Sequence, residues 1–123
     1  MRYIDSNIIA YAFYDNPRKT RCREIITTGG ITSTLTLIES FNIIQHEVNR
    51  EHTSLSIKSL LKSNITFIDT DINTIFESIK RSEKYKRLGF ADLVHYTTAL
   101  LNNCLAFASY DKDFDNLEIR RVP

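Results

Sequence analysis

The sequence has few cysteines, and the two that it has stand far apart. Cys22 and Cys104 form no C-x-x-C pair, and no histidine stands at the spacing of a zinc site. We interpret both as small apolar side chains in reduced helices, with a disulfide between them as the less favoured alternative. The cysteines therefore indicate neither a zinc module nor a disulfide framework.

Long hydrophobic runs are also missing. No apolar stretch approaches the roughly 18 residues that a transmembrane helix needs. The N-terminal sequence MRYIDSN lacks the basic and then apolar profile of a signal peptide. We therefore expect a cytoplasmic protein that has no membrane segment.

The chain has no large excess of charge of one sign. It contains 16 lysines and arginines against 15 aspartates and glutamates, which gives a formal net charge of +1. A protein that coats nucleic acid carries a much stronger positive field, so any contact with nucleic acid must come from a local patch. The 123 residues, 42% of them hydrophobic, contain no repeat, and we interpret residues 1–123 as one domain.

Only 3 glycines occur, and none stands where a calcium-binding loop would need it. The acidic segment that starts at Asp111 begins like an EF-hand loop. However, Asn116 occupies the position of the required glycine, and Val122 occupies the position of the bidentate glutamate. The acidic segment therefore needs another explanation.

What the sequence does have is an alternation of short apolar strands and helical segments. The predicted strands are residues 2–5, 31–33, 65–68, 105–109 and 117–122, the last of them at an edge. The predicted helices are residues 8–13, 17–26, 34–50, 55–61, 72–85 and 90–101, and the fifth carries an amphipathic stripe of Ile72, Ile75, Phe76 and Ile79. This order predicts a three-layer α/β/α sandwich with a mainly parallel central sheet.

Two of these helices carry an acidic side chain where amphipathic patterning would not place one. Glu39 has Leu35 and Ile43 one turn away on either side, and Asp92 has apolar or aromatic neighbours in the same positions. We therefore expect both acids to face a cleft rather than open water. For a single acid, a structural ion pair with an arginine is the alternative.

Four acids are expected to converge at one edge of the sheet. Asp5 ends the first strand, Asp111 follows the fourth, Glu39 lies in the helix after the second, and Asp92 lies near the start of the helix before the fourth. Ligand sites of open α/β sheets lie beyond the carboxyl ends of the strands. Several ionised carboxylates in one place repel one another unless a cation neutralises them. Mg²⁺ or Mn²⁺, which prefer oxygen ligands, would meet this need.

Four short motifs follow one another along the chain: Asp5-Ser-Asn7, Leu37-Ile-Glu39, Phe90-Ala-Asp92 and Ser109-Tyr-Asp-Lys-Asp-Phe114. Together they resemble the PIN-domain ribonucleases, especially the VapC-type toxins of toxin–antitoxin modules. The resemblance implies a catalytic, metal-binding site for Mg²⁺ or Mn²⁺ with Ser109 and Asn7 in support. Its acids would be Asp5, Glu39, Asp92 and Asp111, with Asp113 as a fifth that binds metal or only orders its loop.

The same resemblance implies an activity and partners. The activity is metal-dependent endoribonuclease cleavage of RNA phosphodiester bonds by a toxin that an antitoxin protein restrains. A homodimer is also expected, and the apolar helix of residues 55–61 is one candidate for its interface. One alternative is a PIN-domain RNA-processing nuclease without an antitoxin. Another, from a different class, is a non-catalytic receiver-like signalling or binding domain in which Asp69, after the third strand, accepts a phosphoryl group.

A basic run, residues 80–87, stands just before the Asp92 helix. Lys84, Lys86 and Arg87 are candidates for contacts with RNA phosphates, and Tyr85 is a candidate for stacking on a base. The alternative is the solvated end of a helix, where cations also suit the helix dipole.

Two other features receive weaker functional interpretations. The basic face of residues 18–23 is a second candidate for RNA contacts. His95 stands three residues after Asp92 and could share a metal, but a position at the rim of the site is the expected one.

Overall fold

Five parallel strands form the central sheet of the computed structural model, which describes residues 1–123. The strands are β1 (Arg2–Ile4), β2 (Gly30–Ser33), β3 (Ile65–Ile68), β4 (Ala106–Ala108) and β5 (Arg120–Val122). The helices are α1 (Ser6–Tyr11), α2 (Lys19–Thr28), α3 (Thr34–Glu47), α4 (Arg50–Leu61), α5 (Ile72–Arg81) and α6 (Phe90–Leu101). The strand order is β3-β2-β1-β4-β5, and every neighbouring pair is parallel. The predicted α/β fold class is confirmed.

The two central strands are buried on both faces, because successive side chains of a strand point to opposite sides. Tyr3 of β1 and Phe107 of β4 pack on one face against Tyr96 of α6. Ile4 and Ala108 pack on the other face with apolar residues of α1, α2 and α4. Helices therefore cover both faces, and no helix is long and apolar enough to cross a membrane.

Short polar side chains cap two helices, of which α3 begins at the predicted residue and α4 begins earlier than predicted. Ser33 caps α3 by accepting the N–H of Thr36 at 3.3 Å. Asn49 caps α4 by accepting the N–H of His52 at 2.7 Å, so α4 begins at Arg50 rather than at residue 55. Asn49 is therefore the cap of a helix that is longer than predicted.

The entry to β2 depends on the absence of a side chain at Gly30. Its φ is +149°, and a Cβ atom there would lie 2.6 Å from the carbonyl oxygen of Arg2 on the neighbouring strand. The Arg2 guanidinium also donates to the carbonyl oxygens of Ile25 at 2.8 Å and Gly29 at 3.2 Å. These contacts join the end of α2 to the amino end of β1.

The apolar stripe of α5 faces outward, which its periodicity did not show. Ile72 is 84% exposed and Phe76 is 58% exposed, whereas Thr74 and Ser78 on the opposite side are buried. The hydroxyl groups of these two residues bond within the helix, Thr74 to Asp71 at 2.9 Å and Ser78 to the Thr74 carbonyl at 2.8 Å. Their small size and satisfied hydroxyls allow α5 to pack closely on α6, so the large apolar side chains remain on the surface.

Candidate active site at the carboxyl edge of the sheet

The fold places the predicted acids around the carboxyl ends of the two central strands. Asp5 follows β1 and caps α1, and Asp111 follows β4 and caps the short 3₁₀ turn of residues 112–114. Because β1 and β4 are neighbouring parallel strands, both acids lie at the same edge. Glu39 reaches this edge from α3 and Asp92 from the first turn of α6.

Asp5 is buried, with an exposed fraction of 3%, but its carboxylate has several hydrogen-bond donors. Its Oδ1 accepts the Ser6 N–H at 2.8 Å, and its Oδ2 accepts the Ser109 hydroxyl at 2.7 Å and the Asn7 amide at 3.4 Å. The Ser109 hydroxyl oxygen also accepts the Asp111 N–H at 3.0 Å. Ser109 and Asn7 therefore fix Asp5 and tie it to the strand end that carries Asp111.

His95 lies inside this site, where the sequence did not predict it. It is fully buried, which corrects the expectation of a rim position. Its Nε2 lies 2.5 Å from Oε1 of Glu39 and 3.9 Å from Oδ1 of Asp5, and its Nδ1 lies 2.7 Å from the hydroxyl oxygen of Tyr3. Since the Glu39 carboxylate can only accept, Nε2 carries the proton. The available signal was the position of His95, three residues after Asp92 in a helix that has no lysine, arginine or other acid.

The charges of the site shift the pKa values of its members in different directions. Burial, and then the charges of Asp5 and Asp111, raise the pKa of Asp92 to about 6. Burial also raises the pKa of Asp5 above its usual range, in spite of the opposing charge of His95. Burial would raise the pKa of Glu39, but the hydrogen bond and charge of His95 lower it overall.

His95 itself is stabilised in its charged form. Burial alone would lower its pKa, but the hydrogen bond to Glu39 and the charges of Asp5, Glu39 and Asp92 raise it above the usual value. The site therefore favours the charged form of His95 beside Glu39, together with the uncharged forms of Asp5 and Asp92. A group of this kind is typical of a functional site rather than of a structural ion pair.

The donor set of the site fits a hard divalent cation. Ligand atoms of Asp5, Glu39 and His95 all lie within 4.8 Å of one another. Carboxylate oxygens are the ligands that Mg²⁺ and Mn²⁺ prefer. Both ring nitrogens of His95 already have hydrogen-bond partners, so its place is behind the carboxylate of Glu39 as an orienting group.

Several residues of the basic run before α6 are buried or paired with acids, rather than free to contact RNA as predicted. Tyr85 is only 6% exposed, and its hydroxyl donates to Glu118, which corrects the prediction that its ring stacks on a base. The ammonium group of Lys84 lies 3.9 Å from the Glu118 carboxylate, and that of Lys86 lies 3.6 Å from Glu83. Acidic neighbours therefore partly neutralise this run.

Arg87 belongs to the support of the acidic loop. Its Nε donates to the backbone carbonyl of Asp113 at 3.1 Å, and its Nη2 donates to that of Asp115. Arg121 of β5 holds the same loop by pairing with Asp115 at 2.5 Å and by donating to the Ser109 carbonyl at 3.0 Å. These two arginines therefore fix the loop that follows β4. Within this loop the side chain of Asp113 is exposed, whereas the carboxylate of Asp115 is paired with Arg121.

The PIN domain family model matches residues 2–119. No curated protein matches the chain. The VapC20 toxin of Mycobacterium tuberculosis, described as cleaving the sarcin–ricin loop, has a TM-score of 0.80 at 11% identity, over 98% of this chain and 99% of that chain. A toxin–antitoxin complex from Klebsiella pneumoniae has a TM-score of 0.75 at 17% identity, over 100% of this chain and 97% of that chain.

A third similar structure is VapBC2 from Rickettsia felis bound to a promoter DNA fragment. Its TM-score is 0.75 at 17% identity, over 99% of this chain and 98% of that chain. At these identities the likeness concerns the fold. The family model, by contrast, covers nearly the whole chain, from β1 to the segment before β5. The chain therefore belongs to the PIN domain family.

Proposed function

We propose that the chain is a metal-dependent endoribonuclease that hydrolyses RNA phosphodiester bonds. The convergence of Asp5, Glu39, Asp92 and Asp111 at one edge of the sheet supports this function most directly. Burial, and then the charges of Asp5 and Asp111, raise the pKa of Asp92 to about 6, which agrees with such a convergence. Such a cluster is unfavourable when its acids are ionised, and a divalent cation removes the conflict.

Mg²⁺ or Mn²⁺ would be held by these four carboxylates, and Asp113 remains a predicted fifth ligand. When bound, the cation neutralises the acids and lowers the pKa of a water molecule for attack on phosphorus. The protein's own part is to orient the ligands before RNA arrives. Asp5 is fixed by hydrogen bonds to its two oxygens, and Glu39 is held by His95.

Protein partners form a second part of the proposal, in which the chain is a homodimeric toxin restrained by an antitoxin. The similar structure from Klebsiella pneumoniae is described as a toxin–antitoxin complex. This chain also leaves large apolar side chains on its surface, including Leu55 at 62% and Leu61 at 53% exposed on α4 and the outward stripe of α5. The toxin assignment would be supported by a short open reading frame immediately upstream whose product co-purifies with the chain and blocks cleavage. An RNA-processing nuclease would have no such inhibitory partner.

The receiver-like alternative does not agree with the sheet. In a receiver domain the phosphoacceptor follows a strand in the middle of the sheet, because the strand order is 2-1-3-4-5. Here Asp69 follows β3, which is an edge strand in the order β3-β2-β1-β4-β5. The exposed Asp69 therefore does not occupy the position of a phosphoacceptor, which corrects that alternative.

Cleavage of a labelled single-stranded RNA by the purified protein tests the activity. Wild type, Asp92→Asn and Asp69→Asn are compared with Mg²⁺, with Mn²⁺ and with a chelator. Asp69→Asn is the matched control, because it removes an exposed acid that also follows a strand at this edge. We expect Asp92→Asn to lower the rate by about 10²-fold or more, and the control to cleave like wild type. Equal rates in wild type and Asp92→Asn would contradict the assignment.

A further inference from the structure

Arg18, beside the start of α2, differs from the other arginines of its basic face. Arg21 pairs with Glu24 at 3.2 Å, and Arg23 donates from Nε to the backbone carbonyl of Ala12 at 2.9 Å. The guanidinium of Arg18 has neither an acidic partner nor a carbonyl partner. Its N–H donors are therefore free to bind a ligand.

Two tyrosine rings hold the guanidinium of Arg18 in place. Its central carbon lies 4.1 Å from the ring centroid of Tyr110 and 5.5 Å from that of Tyr11. The two rings meet edge to face with centroids 6.0 Å apart. Contacts of this kind fix the position of a cation and leave its hydrogen-bonding edge unused. Arg18 is exposed, so that edge is open to solvent.

The same tyrosines connect Arg18 to the acidic site. Tyr110 directly follows Ser109, and its backbone N–H donates to Oδ1 of Asn7 at 3.2 Å. The amide of Asn7 in turn donates to the Ser109 hydroxyl at 3.1 Å. Tyr11 lies about one turn after Asn7 on α1, about 6 Å along the helix axis. Arg18 therefore lies on the α1–α2 side of the sheet edge, and Tyr110, Asn7 and Ser109 connect it to Asp5.

We propose that Arg18, held by Tyr110 and Tyr11, binds a backbone phosphate of single-stranded RNA next to the acidic site. The inference rests on the proposed nuclease function and deepens it. A cluster of carboxylates repels the RNA backbone, so the substrate needs a nearby cation that is not already neutralised. The guanidinium fork matches the geometry of phosphate oxygens. Lys84 and Lys86 have acidic neighbours, which makes them weaker sites for the same role.

Binding of a fluorescent single-stranded RNA tests the proposal, with Asp92→Asn as the parent protein so that cleavage does not disturb the titration. Arg18→Ala and Arg18→Met are added to this parent; the methionine keeps an apolar side chain against the tyrosines and lacks the charge. We expect either variant to weaken binding at low salt by about tenfold. The slope of log affinity against log salt should also fall by about 0.7 for the lost phosphate contact.

Arg50→Ala is the matched control. Arg50 is an exposed arginine at the first residue of α4, and its guanidinium lies 5.9 Å from the ring centroid of Phe41. Its removal should leave affinity and salt slope unchanged. Melting temperatures of all variants, with and without Mn²⁺, report on the fold and on the acidic site. If Arg18→Ala is unfolded, Arg18→Met decides the outcome.

Unchanged affinity and slope in the folded Arg18 variants would overturn the inference, and so would a slope that falls only in a Lys84→Ala/Lys86→Ala double variant. Failure of the nuclease function looks different, because the wild-type protein then neither cleaves RNA nor responds to Mn²⁺. A wild type that cleaves RNA, together with Arg18 variants that bind it like the parent, would overturn only the role of Arg18.

Discussion

The raised pKa of Asp92 predicts that replacing this acid stabilises the metal-free protein. Asp92→Asn keeps the shape of the side chain and removes its charge. A shift from 3.8 to about 6 corresponds to about 3 kcal/mol at 1.36 kcal/mol per pKa unit. The side chain is partly exposed, so solvent screening reduces the expected gain to about 1–2 kcal/mol at neutral pH.

The pH dependence of this gain follows from linkage. The folded protein holds the Asp92 proton more tightly than the unfolded chain, so the protonated acid favours folding at low pH. That advantage is lost as the pH rises from the unfolded value of 3.8 through the folded value of about 6. The stability difference between Asp92→Asn and wild type should therefore grow between these two values and stay constant above them.

Urea unfolding in the presence of a chelator, repeated across this pH range, measures the difference. Asp69→Asn serves again as the control, and its difference from wild type should not change in the same way. At saturating Mn²⁺ the wild type should become more stable than Asp92→Asn, because metal binding to the native state stabilises wild type more than the variant. A difference between Asp92→Asn and wild type that is independent of pH would refute the reasoning.

Three further predictions concern the metal, the buried histidine and the sheet. Mg²⁺ or Mn²⁺ should raise the melting temperature, because an ion at a hundred times its Kd adds about 2.7 kcal/mol to the free energy of unfolding. Asp5→Asn should reduce this rise. A wild-type melting curve that neither ion changes would argue against the site. His95→Leu should slow RNA cleavage and destabilise the fold by about 3 kcal/mol, since it leaves Glu39 without its partner, and His95→Gln should restore part of the rate. Gly30→Ala should destabilise by more than about 2 kcal/mol in urea unfolding, because its Cβ would meet backbone at 2.6 Å, whereas Gly89→Ala, with no atom within 4 Å, should change little.

Much of the fold follows from local patterns in the sequence. The apolar strands predict a sheet covered on both faces, and the alternation with helices predicts parallel order. The direction of an amphipathic face does not follow in the same way. The stripe of Ile72, Phe76 and Ile79 has strong helical periodicity, but the buried side of α5 consists of Thr74 and Ser78. Periodicity locates a face, and only the tertiary packing decides whether that face is inside.

The site likewise contains some residues whose positions the sequence predicts and others whose positions it does not. The edge at which Asp5 and Asp111 lie follows from strand order, because Asp5 directly follows β1 and Asp111 lies in the loop just after β4. The position of His95 depends on a hydrogen bond to Glu39, a residue 56 positions away in the chain. Tyr85 is another example, since its contact with Glu118 spans 33 positions. Long-range pairs of this kind leave no local pattern in the sequence.

The strand order also determines when the site comes into existence as the protein is made. β1 lies in the middle of the sheet, and its neighbour β4 is synthesised only after β2 and β3. Until then, Asp5 lacks the Ala108 carbonyl that accepts its backbone N–H at 2.9 Å and the Ser109 hydroxyl that donates to its carboxylate. A ribosome that makes this proposed RNA-cleaving protein therefore carries an incomplete site until β4 and Ser109 have been synthesised.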